Sequence, residues 1–177
     1  RELLDEAQTP PHIRAHCNAT SRMAVRMALH LNALGQCLDT QLCSSAAALH
    51  DMCRLQKRHY EAAALALFSK GYGAVATIVN EHDSYSRTPR LLDTAGDSAA
   101  VCAPAAPAFT ESVLVCTADK LVRETQLVTP EERYAPATQK FAASTEIGQR
   151  VRHDLLICQK LVDCYQSQTG DTLYPVA

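Results

Sequence analysis

A chain of 177 residues with 47% hydrophobic and 20% charged residues can bury a core of its own, and this composition belongs to a single globular domain rather than a disordered or fibrous chain. No run approaches the roughly 20 apolar residues needed to cross a bilayer, so no membrane association is expected. A formal net charge of −2, with Lys and Arg scattered among Asp and Glu, argues against a strong nucleic-acid footprint while leaving room for a small basic pocket.

Taken in chain order, Thr9-Pro10-Pro11 predicts a helix start, with Thr20, Met23, Ala24, Met27, Leu31 and Leu34 as one stripe before Gly35 stops the pattern. His16 lies at the head of that stripe. Asp39 is placed to cap a second helix whose inner face carries Leu42, Ala46, Leu49, His50 and Cys53. A third helix is expected from about Arg58 to Lys70, ended by Gly71, and a fourth shows Val75, Ile78, Val79 and His82 on one face. Residues 84–108 lose all period among Ser, Pro, Gly and Ala, and read as a long mobile loop or lid. Thr110 then caps a helix through "ESVLVCTADKLVRE", with Val115, Asp119 and Val122 sharing a face. After a short segment at 129–134, a single long helix is predicted over about 137–166, with Phe141, Thr145, Gly148, Val151, Leu155, Cys158 and Val162 as its stripe. No stretch reads as a strand, so the fold class is all-α, with a core over about 9–135 followed by that long helix.

Eight cysteines occur without any C-x-x-C pair. Cys17, Cys43, Cys53, Cys116 and Cys158 fall beside apolar residues and read as reduced, buried thiols, which predicts a cytoplasmic protein. The chain opens on Arg1 with no signal-peptide pattern, so the expectation is a piece of a longer polypeptide.

The chemistry lies in polar groups on apolar faces. His16, His50, Asp51, His82 and Asp119 sit on or beside inward positions of four helices, and a buried, unpaired carboxylate is too costly to stand without a partner. A divalent cation is such a partner, since imidazole and carboxylate donors suit a borderline transition metal. Each histidine alone is better read as an ordinary core or surface residue; the contiguous His50-Asp51 pair together with the others favours the metal.

The order His16 in "IRAHCNA", His50-Asp51 in "AALHDMC" and Asp119 in "CTADKLV" resembles the HD-domain superfamily of metal-dependent phosphohydrolases, and the resemblance covers about residues 9–135. It implies an HD-domain helical bundle of about six to eight helices with His16, His50, Asp51 and Asp119 as ligands of a first ion. His59 and His82 occupy places where two-metal members carry the ligands of a second ion, with Asp51 bridging. It further implies two divalent ions, iron or manganese first, with magnesium, nickel, cobalt or zinc as other choices. Asp51 and Lys120 would be the catalytic residues, and Lys57, Lys120 and Arg123 would meet substrate phosphate; otherwise these cations are solvated surface charge. His12 is placed to approach the site, Glu81 and Asp83 to support it, and His30 and His153 to lie on the surface.

The activity so implied is hydrolysis of a phosphoester in a nucleotide or another small phosphorylated compound. Similar ligands occur in mixed-valent di-iron oxygenases of the same superfamily, and a regulatory module that senses a nucleotide or metal without turnover is the reading from another class. The stretches "TPPHI", "LHD" and "ADKLV" also resemble HD domains fused behind a nucleotidyltransferase of the molybdenum-cofactor type, which implies such a domain upstream.

Overall fold

The computed structural model describes residues 1–83 and 109–174, and the segment read as a lid, 84–108, lies outside them. Eight helices and one small hairpin appear among the described residues: α1 (Glu2–Glu6), α2 (Pro11–Ala33), α3 (Thr40–Leu49), α4 (His59–Ser69), α5 (Gly73–Glu81), α6 (Glu111–Lys120), β1 (Val122–Arg123), β2 (Gln126–Leu127), α7 (Pro130–Lys140) and α8 (Glu146–Thr169). The fold is an all-α bundle. No helix among these residues is long and apolar enough to cross a membrane.

The helix ends follow local rules. Pro11 occupies the first turn of α2, where its missing N–H costs nothing. The Asp39 carboxylate accepts hydrogen bonds from the backbone N–H of Gln41 and Leu42, each at 2.9 Å, and so caps α3. Gly71 ends the α4 turn at φ +86, a conformation that side chains resist. α4 and α5 form a hairpin, α2 lies along α3, and α6 is enclosed by α2, α3, α5 and α8. Every residue from Val113 to Asp119 is consequently buried, apolar on all sides until its last turn.

Several expectations need correction. Leu34, placed on the first stripe, is exposed because α2 has already ended at Ala33. The helix after Thr110 stops at Lys120 rather than running on through Glu124: the chain turns back at Glu124, which adopts φ +59, and Val122 pairs with Leu127 in an antiparallel hairpin. The segment at 129–134 is the head of a helix, α7, closed by a capping box in which the Thr129 hydroxyl accepts from Glu132 N–H and the Glu132 carboxylate accepts from Thr129 N–H. The predicted 137–166 helix is two helices broken at 141–145. Arg152 of α8 spans the break, donating to Thr138 O at 3.2 Å and Phe141 O at 3.1 Å, so two of the carbonyls at the end of α7 have a partner there. A Cβ on Gly148 would stand 1.9 Å from Ala142 O, so the close return of the chain at this break requires glycine.

The five cysteines expected in the core, Cys17, Cys43, Cys53, Cys116 and Cys158, are all buried. Burial pushes the Cys43 thiol up to about 12, which leaves it an inert hydrophobe rather than a nucleophile.

Candidate metal centre

The bundle gathers the interior polar residues at one place. His16 projects from the second turn of α2; His50 and His82 are the C-cap residues of α3 and α5; Asp51 follows His50; Asp119 lies in the last turn of α6. All five are buried, with His50 fully enclosed. His50 and His82 share one device: in each, Nδ1 lies within hydrogen-bond distance of the carbonyl three residues earlier, Ala47 O at 2.7 Å and Val79 O at 2.6 Å. These carbonyls are among those a helix end leaves without an intrahelical partner, so each accepts the Nδ1 hydrogen and fixes its ring. His16 Nδ1 reaches Glu124 O at 3.2 Å, which gives the hairpin a role in orienting that ring. Nε2 of all three therefore turns its lone pair inward.

The carboxylates meet those lone pairs. Asp119 Oδ1 stands 3.0 Å from His16 Nε2 and 3.4 Å from His50 Nε2, and Asp51 Oδ2 stands 3.6 Å from His50 Nε2. Asp51 Oδ1 lies 3.2 Å from His59 Nε2 and 3.8 Å from His82 Nε2. Two groups, His16 with His50 and Asp119, and His50 with Asp51 and His82, have donor atoms within 4.8 Å of one another. Donors bonded at about 2.1 Å to one ion lie about 3.0 Å apart at an octahedral edge and about 3.4 Å at a tetrahedral one, close to the His16, His50 and Asp119 separations. His50 Nε2 is buried and has no hydrogen-bond partner among the described residues. A proton there would answer one lone pair, whereas a metal ion could answer those of His16, His50 and Asp119 together. These buried His and Asp groups could hold a metal ion, and the donor chemistry fits one.

The local charges support ionised ligands. Burial alone would raise Asp51, but contacts from His59 and His82 and the charge of His50 outweigh it and hold the carboxyl far below its ordinary value. Asp119 is likewise held well below, burial being overcome by Lys120, His16 and His50. Burial disfavours charge on His50, yet the Asp119 carboxylate raises it well above its usual value, so without an ion this ring favours a second proton, which a metal ion would have to displace from Nε2; in His82 burial wins over the Asp51 contact and the ring is held neutral. The low dielectric amplifies each of these contacts.

The remaining predicted residues divide. Lys120 Nζ lies 2.7 Å from Asp119 Oδ2, and although burial opposes its charge the Asp119 carboxylate raises its pKa, so it is the buried counter-ion of Asp119. Arg123 lines an open cleft of about 590 Å³ beside His16 and Asp51. Lys57 is exposed in the turn between α3 and α4 and does not line that cleft, nor does Lys120. His12 stands on the cleft rim. His30 and His153 are exposed as expected. Two residues the sequence did not mark belong here. Arg54 lies 3.3 Å from Asp51 Oδ1 and 3.1 Å from His59 Nε2, and Arg133 reaches to 3.9 Å from Asp119 Oδ1; both line the cleft. Arg133 sits directly after the Thr129–Glu132 capping box, the signal that would have placed it on a helix.

No protein-family model matches this chain, and no curated protein or solved structure is significantly similar to it. The centre is accordingly read from its own chemistry.

Proposed function

We propose that this protein is a metal-dependent phosphohydrolase acting on a nucleotide or another small phosphoester, in the manner of the HD-domain enzymes its sequence resembles. The observation that carries the reading is His50 Nε2, buried between Asp51 and Asp119 with no hydrogen-bond partner among the described residues, next to a cleft lined by His16, Asp51, Arg54, Arg123 and Arg133.

His16, His50, Asp51 and Asp119 would hold the first ion, and Asp51, His59 and His82 would hold a second. A bound divalent ion lowers the pKa of water from 15.7 toward about 7 and polarises a phosphoryl oxygen. The Ala47 and Val79 carbonyls keep His50 and His82 in the tautomer that presents Nε2, and Lys120 and Arg133 keep the Asp119 charge in place. The arginines at the cleft would present planar, permanently charged groups to phosphate oxygens, with Arg54 in contact with Asp51. Electrostatic holding of the anion and alignment of its phosphorus over the ligand cluster are the chain's share of catalysis.

The test is a screen of nucleotides, dinucleoside polyphosphates and simple phosphoesters with manganese or iron added to chelator-stripped protein. Metal-dependent release of phosphate or a phosphomonoester is expected without any oxygen requirement. Iron-dependent loss of substrate that requires oxygen would replace the reading with the di-iron oxygenase, and saturable binding without product would replace it with a sensing module.

A further inference from the structure

Arg54 stands in a place the ligand reading leaves for a metal ion. Its guanidinium nitrogen Nη1 lies 3.1 Å from His59 Nε2 and 3.3 Å from Asp51 Oδ1, while those two atoms are 3.2 Å apart. A guanidinium carries hydrogens only and accepts nothing, so its contact with His59 Nε2 uses the same lone pair that a metal–nitrogen bond requires. The same holds for the Asp51 oxygen, which is the shared member of the second ion position. A dication bonded to His59 Nε2 and Asp51 Oδ1 at about 2.1 Å and a guanidinium hydrogen-bonded to both cannot use those lone pairs together, and their charges repel.

The tether is short. Arg54 follows Asp51 by one helical turn, with Arg54 N–H donating to Asp51 O at 3.0 Å, so its position is set by the chain that carries the ligand. Its side chain is half exposed at the cleft, however, whereas Asp51 is buried, and it can leave without disturbing the core. Among the described residues no comparable cation contacts His50 Nε2, and at Asp119 the nearby cations Lys120 and Arg133 belong to a carboxylate with further contacts to His16 and His50. The two ion positions are thus unequal.

We infer that Arg54 is a tethered cation that closes the second ion position, at His59 and Asp51, so that the resting protein carries a single metal ion at His16, His50, Asp51 and Asp119. This rests on the reading of those four residues as ion ligands. Arg54→Met removes the charge and the hydrogens while keeping a long side chain at an exposed position, so the variant should fold. Wild-type and variant protein, stripped with chelator, reloaded with manganese and desalted, should retain about one and about two ions per chain respectively, and adding His59→Gln to Arg54→Met should return the count to about one. A wild-type protein that already holds two ions, or an Arg54→Met protein that still holds one, overturns the inference while leaving the metal centre intact. Retention of no ion by either protein overturns the metal centre itself, and this inference with it.

Discussion

His16 Nε2 lies 3.0 Å from Asp119 Oδ1, joining the start of α2 to the end of α6 across 103 residues of chain. The centre therefore exists only when the bundle is closed, and an ion held there stabilises the folded chain by mass action, about 2.7 kcal/mol at a free concentration one hundred times the dissociation constant. Helix termini supply most of its geometry. The chain ends α3, α5 and α6 at one point in space and places His50, His82 and Asp119 at those ends, where open carbonyls are available to orient the rings.

Asp51→Ala should lose bound metal and phosphoesterase activity together. Its two oxygens face different partners, Oδ2 toward His50 and Oδ1 toward His59, His82 and Arg54, and no other carboxylate of the cluster meets His59 or His82. Elemental analysis and turnover measured on the same preparation check this. Retention of full metal content and turnover by the variant would show that Asp51 is no ligand.

Lys120→Met should lower stability by about 3 kcal/mol even in chelator, because it leaves the buried Asp119 carboxylate without its closest cation. Thermal melting of the metal-free proteins reads the effect directly. A lysine whose work was only to touch substrate phosphate would leave that melting temperature where it was and change the Michaelis constant alone.

The candidate ligands were legible because polarity at an interior helical position is costly, and His16, His50, His82 and Asp119 all fall on stripes whose other members are apolar. Arg54 was not, since it lies in the turn between α3 and α4, where no period distinguishes a side chain that folds back on Asp51 from one in solvent. The all-α class was legible for the same reason as the candidate ligands, while the short helices α1 and α7 were not, and the break before α8 was hidden by its own regularity: Phe141, Thr145 and Gly148 keep helical spacing across it. What opposes a continuous helix there is a contact distant in no sense from the sequence yet invisible to periodicity, the capping of α8 by the Thr145 hydroxyl and the seating of Gly148 under Ala142 O. The hairpin at 122–127 was missed because two residues per strand are too few to show alternation.

Stability should also fall in acid through Asp171, which fastens the chain after α8 to α2. Burial would raise its pKa, but the Leu173 N–H, the Tyr165 hydroxyl and the Arg26 guanidinium lower it below the ordinary value. A depressed carboxylate contributes stability that is present above its unfolded pKa of about 3.9 and is lost as pH falls through the folded value. Wild-type protein should therefore exceed Asp171→Asn in melting temperature at about pH 6, with the difference shrinking below about pH 4. A difference constant over that range would show that the Asp171 charge contributes nothing.

The central claim is that the buried histidines and aspartates form a metal centre, and elemental analysis of protein purified without chelator tests it most directly. The account predicts at least about one first-row transition ion per chain, removed by chelator together with phosphoesterase activity and restored with it. A preparation that hydrolyses phosphoesters while containing no metal would contradict it.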